Sequence, residues 1–249
     1  MKILWTRIAA LGAILSTSLA MPAAAADHPD LSGFWQLDGR AKPSAESKAL
    51  IAALPKDVVL LNDVGAPEYP AGNYGGLKPT PKALEAIGKW DPQKEYLPRN
   101  ICRRPSIVYA MQGPFPIEID QADKLTVIHL EYFDMFRVIY TDGRSHLPPD
   151  QPHTMTGNSI GHWEGDTLVV DTDHLEAATI TNNGLEHSDK VHVVERFRLS
   201  ADGHTLWATQ MFSDPVMLEN RGARLIAWKR VPGQHVYPYE CDPFEYSKD

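Results

Sequence analysis

Between residues 106 and 231 the chain is built of short β-branched and aromatic runs separated by turn-forming pairs, at the spacing of antiparallel hairpins. The pattern predicts strands at about 106–111, 116–121, 124–131, 134–141, 158–164, 167–173, 190–199, 204–213 and 223–231. Ala122-Asp123, Asp142-Gly143, Glu164-Gly165-Asp166 and Ala201-Asp202-Gly203 supply residues that tolerate tight turns. The connections leave no room for crossover helices, so successive strands pair directly. Such an antiparallel meander closes most naturally into a barrel, with a two-sheet β-sandwich as the alternative.

The residues before the meander have a different texture. Lys2 and Arg7 precede an apolar stretch, Ile8 to Ala20, and the small residues Ala23 to Ala26, which is the pattern of a secretory signal peptide over residues 1–26. The apolar stretch falls short of the roughly 20 residues a membrane helix needs. The expectation is therefore a periplasmic or secreted protein with no stable membrane insertion, folded as one domain over residues 27–249. Within it, residues 27–105 read as a cap, irregular apart from an aromatic strand near Phe34 and short helices at 45–54 and 82–90, and 106–249 as the meander.

The full chain has 24 basic and 32 acidic residues, a net charge of −8, which becomes −10 without Lys2 and Arg7. This excess of negative charge argues against nucleic acid as a partner. Cys102 and Cys241 are the only cysteines. In an oxidising compartment they are expected to form a disulfide that staples the C-terminal tail to the body, worth about 4 kcal/mol in the chain-entropy model.

Two resemblances follow from local motifs. Gly33-Phe34-Trp35, near the start of a β-rich chain, resembles the Gly-x-Trp of lipocalin-type barrels and implies a barrel with a ligand cavity. The run Ile139-Tyr140-Thr141-Asp142-Gly143-Arg144, then Ser159-Ile160-Gly161-His162-Trp163-Glu164-Gly165-Asp166-Thr167-Leu168-Val169-Val170-Asp171-Thr172, His187-Ser188 and Glu195-Arg196-Phe197, resembles a large group of exported bacterial β-rich proteins of unknown function. That likeness covers roughly residues 100–245 and implies a shared β-scaffold.

For chemistry, strand alternation places Glu195 in one row with Val191, Val193, Phe197 and Leu199. A carboxylate facing a core must be paired, hydrogen-bonded or kept neutral. Glu195 is thus either a general acid–base group of raised pKa or half of a buried ion pair with Arg137. Glu131 and Arg137 could form a polar strip along the barrel interior, where Arg137 would hold a substrate oxygen. Among the histidines, His146 and His187 stand beside serines in loops able to cover a barrel mouth, and histidine titrates near neutrality. Gly157-Asn158-Ser159-Ile160-Gly161 matches the nucleophile elbow of serine hydrolases, but a strand rather than a helix is expected after it. A triad of Ser159, His187 and an acid is accordingly a minor reading.

The sequence thus yields a candidate set: Glu195, His187 and Glu131 as proton carriers, and Arg137, Tyr140, His146, His162 and Trp163 as substrate contacts. No metal and no cofactor is assigned, and the oligomeric state is not encoded in any motif. The expected function is a small-molecule enzyme of lyase or isomerase type acting on a partly apolar, aromatic or carbonyl-containing compound. Its rival is a non-catalytic lipocalin-like carrier of small hydrophobic ligands.

Overall fold

The computed structural model describes residues 28–62, 69–95 and 97–243; the expected signal peptide, residues 1–26, lies outside the described residues. Nine strands form a closed ring: β1 (Gly33–Leu37), β3 (Ile117–Ala122), β4 (Leu125–Leu130), β5 (Met135–Tyr140), β6 (Asn158–Glu164), β7 (Thr167–Asp173), β10 (His192–Leu199), β11 (Thr205–Ser213) and β12 (Arg221–Arg230), which pairs back onto β1. The fold is therefore a mainly β barrel of the lipocalin-like kind, and the sandwich alternative is set aside by the β1–β12 pairing that closes the ring.

The barrel is mixed and not the purely antiparallel meander expected. β5 and β6 run parallel, because the long connection after Tyr140 returns the chain to the same end of the barrel. A further strand, β2 (Val58–Leu61), joins β12 in parallel beside β1. A separate hairpin of β8 (Ala178–Thr181) and β9 (Leu185–His187) stands at one mouth.

The helices are short. α1 (Ala45–Ala52) begins with a capping box between Ser44 and Ser47, and α2 (Pro81–Lys89) has Thr80 as its N-cap and Pro at its start. α3 (Pro92–Glu95), α4 (Pro98–Ile101) and α5 (Ile107–Ala110) follow. The last of these corrects the strand expected at 106–111. Its backbone carbonyls are taken up by polar side chains on neighbouring strands: Gln210 Nε2 donates to the Ile107 oxygen at 3.1 Å, and Arg224 Nη1 donates to the Val108 oxygen at 2.8 Å. α5 thereby plugs one end of the barrel.

Alternation inside the ring follows the sequence. Val193, Glu195 and Phe197 of β10 are buried, whereas His192 is exposed. The apolar interior includes Ile119, Ile128, Ile139, Val170 and Ile226 in one continuous core. Trp35 and Trp228 close the end away from α5, where the Arg230 guanidinium lies over the Trp35 ring at 4.3 Å and donates to backbone oxygens of Ser32 and Gly203.

Within this core sits a polar layer. Arg137 (0% exposed) and Glu195 (1% exposed) form an ion pair across the barrel interior. Arg137 also donates to Ser159 Oγ at 3.1 Å and Thr172 Oγ1 at 2.9 Å, and Gln210 Nε2 donates to Glu195 Oε1 at 3.1 Å. Removing one partner of a buried pair leaves an uncompensated charge in low dielectric, at a cost of about 3–5 kcal/mol. Glu195→Leu is expected to lower the urea midpoint accordingly. Arg137→Met with Glu195→Leu should recover most of that loss, and a double variant no more stable than the single one would refute this account.

Candidate functional site

Beyond the α5 plug the barrel mouth opens into a hollow of about 540 Å³. It is walled by Trp90, the C-cap of α2, by α4 and the 103–105 segment that follows it, by Tyr109 of α5, by the β8–β9 hairpin, and by the turn at 132–134 with the C-terminal tail. Trp90 packs directly against the hairpin because Gly184 has no side chain; a Cβ there would lie 2.8 Å from the Trp90 ring, and its φ of +94° also suits glycine. Asn183, buried at the hairpin tip, donates to backbone oxygens of Pro70 and Asn73 and fixes the hairpin to the preceding segment.

The opposite wall is aromatic. Tyr132 stacks on Phe115 at 4.6 Å between ring centres, and Tyr239 meets Tyr132 edge-on at 5.8 Å and Phe133 at 4.8 Å. The turn that presents Phe133 is strained, with φ of 58° at Phe133 and 50° at Asp134. Left-handed backbone at non-glycine residues persists only where the surroundings enforce it, and such residues gather at binding sites. Here the enforcement is visible. Asp134 Oδ2 accepts the Tyr239 backbone N–H at 3.3 Å, and Glu131 Oε2 accepts that of Tyr237 at 3.0 Å. The Cys102–Cys241 disulfide, formed as the sequence reading expected, then ties the tail to the chain just after α4.

The polar groups of the hollow are few. Arg103 Nη1 meets Glu186 Oε1 at 3.3 Å, and Arg104, also at the rim, makes no ion pair or hydrogen bond among the described residues. Burial, reinforced by the neighbouring Tyr109 and Tyr239, pushes the Tyr132 phenol up to about 12. Its hydroxyl stays protonated at any physiological pH.

The sequence candidates do not assemble into one site. Glu195 and Arg137 come together, but as the buried pair already described. The polar strip expected to join Glu131 to Arg137 is not formed: β4 pairs Ile128 with Arg137, and Glu131, one residue past the strand end, lies outside the barrel holding the tail. Tyr140 is also on the outer face, with the Arg144 guanidinium 3.7 Å above its ring. His162 is exposed and meets Glu164 at 3.2 Å. Trp163 stacks under His28, and His146 joins an outer cluster with Asp171 and Asp173.

His187 comes nearest the mouth. It is buried below the hollow, with Nδ1 2.9 Å from the Ser188 oxygen and Nε2 2.6 Å from Ser106 Oγ. A carbonyl only accepts, so Nδ1 carries the proton and Nε2 receives the Ser106 hydroxyl. Burial lowers the His187 pKa and keeps the ring neutral. Ser159 bonds to Arg137 and Thr172, so the Ser159–His187 triad is not formed.

The residues that make the hollow, Trp90, Tyr109, Tyr132, Phe133 and Tyr239, are absent from the sequence-derived set. The usable signal was the disulfide, which brings the aromatics flanking its two cysteines to one place. The chain matches no known family model and no curated protein sequence. Among the described residues no group of three His, Cys, Asp or Glu side chains is arranged to hold a metal ion, and no helix is long and apolar enough to cross a membrane.

Because Tyr239 is positioned by its bonded tail, opening the disulfide should loosen one wall while leaving the barrel intact. Cys241→Ser is expected to leave the far-ultraviolet circular dichroism unchanged and to raise exchange of the 235–241 amides; unchanged exchange there would show that the bonds to Glu131 and Asp134 suffice alone.

Proposed function

We propose that the protein is a carrier that binds a small, largely planar aromatic molecule in the mouth of its barrel. The observation that supports this most is the 540 Å³ hollow itself, walled by Trp90, Tyr132, Phe133 and Tyr239 with a guanidinium at the rim. Ligand pockets commonly have volumes of about 300–1,000 Å³, apolar walls and a few polar groups that orient the ligand. Aromatic side chains offer flat faces at little entropic cost, and Arg104 can meet an electron-rich ring or an oxygen substituent.

The carrier reading is favoured over lyase or isomerase chemistry by the state of the acid–base candidates. Glu195 is saturated by Arg137 and Gln210 inside a filled barrel, and His187 is saturated by Ser106 and Ser188 beneath the hollow. A proton carrier must come within hydrogen-bond reach of the proton it moves. The disulfide supports an oxidising compartment, in keeping with the proposed export.

Trp90 provides the readout. Titration with benzoates, hydroxycinnamates and naphthols is expected to give saturable quenching of tryptophan fluorescence for at least one class, and recovery of the ligand unchanged by mass spectrometry. Trp90→Ala, which removes that reporter and is therefore followed by equilibrium dialysis, should weaken binding by about tenfold or more, the size of a lost aromatic contact. A ligand recovered chemically altered would instead return the enzyme reading, and absence of saturable binding across the panel would remove the carrier reading.

A further inference from the structure

Outside the barrel, where β6, β7 and β10 lie side by side, three histidines and two aspartates meet. His146 hydrogen-bonds through Nε2 to Asp171 Oδ1 (2.8 Å) and through Nδ1 to Asn158 Oδ1 (3.0 Å), with Asp173 Oδ1 2.9 Å from Nδ1. His174 directs Nδ1 at Asp173 Oδ1 (2.7 Å) and Nε2 at the Pro148 carbonyl oxygen (2.9 Å). His192 Nε2 reaches the same Asp171 oxygen at 2.8 Å. A neutral imidazole has one N–H and one lone pair, so a ring facing acceptors at both nitrogens is satisfied only as the imidazolium. That condition holds for His174, between Asp173 and the Pro148 carbonyl.

These bonds join two separate pieces of chain. His146 and Pro148 belong to the connection between β5 and β6, whereas Asp171 and Asp173 belong to β7 and His174 directly follows it. His174 sits in left-handed backbone, φ 54°, so its ring is held in place by the bonds at its two nitrogens and not by a relaxed main chain. The connection covers the thinnest seam of the barrel. β5 and β6 pair only through Ile139 with Ser159 and Tyr140 with Ile160, and the chain turns into β6 at Gly157, φ 65°. Between this loop and the outer face of β5 lies a second hollow of about 310 Å³, with Phe136, Val138 and Tyr140 on one side and Leu147 and Pro152 on the other.

We propose that the 142–153 stretch of the loop, which ends where Thr154 bridges Leu175, is a proton-operated latch: it is fastened while His174 carries a second proton, and it swings away from the β5 seam when that proton is lost. Deprotonation of His174 turns a lone pair toward either the Asp173 carboxylate or the Pro148 oxygen, and the loss replaces a charge-assisted hydrogen bond by repulsion.

The other charged groups around the cluster leave this logic in place. From the loop, His153 leans on the His174 ring at 5.1 Å and bonds through Nδ1 to the Leu175 oxygen, and Arg144 is occupied by Asp142. From the turn before β10, Asp189 and Lys190 pair with each other at 3.1 Å. The bond to Asp173 holds His174 above the ordinary histidine value against burial and the opposing charge of Lys190, and the bond to Asp171 raises His192 likewise. Burial raises the Asp171 carboxyl, but the bonds from His192 and His146 more than reverse this, so Asp171 remains an anion. A histidine raised in the folded state contributes its stabilisation fully below the unfolded value near 6.5 and loses it as pH rises through the folded value. The latch is therefore fast in mild acid and open in mild alkali.

Hydrogen–deuterium exchange of the full-length oxidised protein at about pH 5.5 and about pH 8, corrected for chemical exchange, tests the latch. Protection of residues 145–153 is expected to fall about fivefold or more at the higher pH, while β10 to β12 keep theirs. His174→Asn, which suits left-handed backbone, should exchange rapidly in the loop at both pH values. Equal corrected protection of the wild-type loop at the two pH values overturns the proposal, independently of how the variant folds.

Discussion

The structure is organised around a guanidinium and a carboxylate that meet where water does not reach. Once Arg137 and Glu195 face each other across the barrel, each remaining polar atom nearby needs a partner in low dielectric, and the neighbouring strands supply Ser159, Thr172 and Gln210 in register. Gln210 passes the layer on to the plug, since the same amide nitrogen that bonds to Glu195 also bonds to the Ile107 carbonyl. Arg224, which pairs with Gln210 across β11 and β12, takes the next carbonyl of α5. A layer of this kind adds little net stability, and within it Arg137 Nη1 and Gln210 Oε1 have no hydrogen-bond partner among the described residues. It fixes the depth at which α5 sits, and with it the floor of the mouth hollow.

Most of the ring could be read from the chain because period-2 alternation and turn chemistry are local properties. β6 and β7 coincide with their expected spans, and Val193, Glu195 and Phe197 share the inner face that alternation assigns. The errors occur where a tertiary partner outweighs local preference. Residues 106–111 have strand-like composition, yet Ser106 caps a helical turn there whose carbonyls are received by Gln210 and Arg224. β2 is a four-residue strand inside a segment rich in Pro, Gly and Asn, and it exists only because β12 extends beyond β1 and offers it an edge.

The mouth hollow was less legible for a related reason. Its walls come from pieces far apart in sequence, and none carries a motif of its own. Inward direction alone singled out Glu195, and the partner that neutralises it was recognisable from the chain as one of two outcomes. Which way the next residue past a strand end turns is not, and so alternation allows an interior strip of Glu131 with Arg137 that does not form, Leu130 being the last residue of β4. The histidines show the same limit. Their abundance was plain, but whether a given ring faces a serine, a carboxylate or a stacking partner depends on loop paths that periodicity does not describe.

The ring closes through contacts between the two ends of the chain. β1 pairs on one side with β3 and on the other with Trp228 to Arg230 of β12, nearly two hundred residues away. During synthesis from the N-terminus, β1 therefore waits with an unpaired edge until the last strand has emerged, and every earlier intermediate is an open, curved sheet with a free strand at each border. Such a topology delays completion of the barrel until β12 is available to pair. It also makes any C-terminal truncation before Arg230 costly out of proportion to its length, because the last few residues of β12 complete the barrel wall.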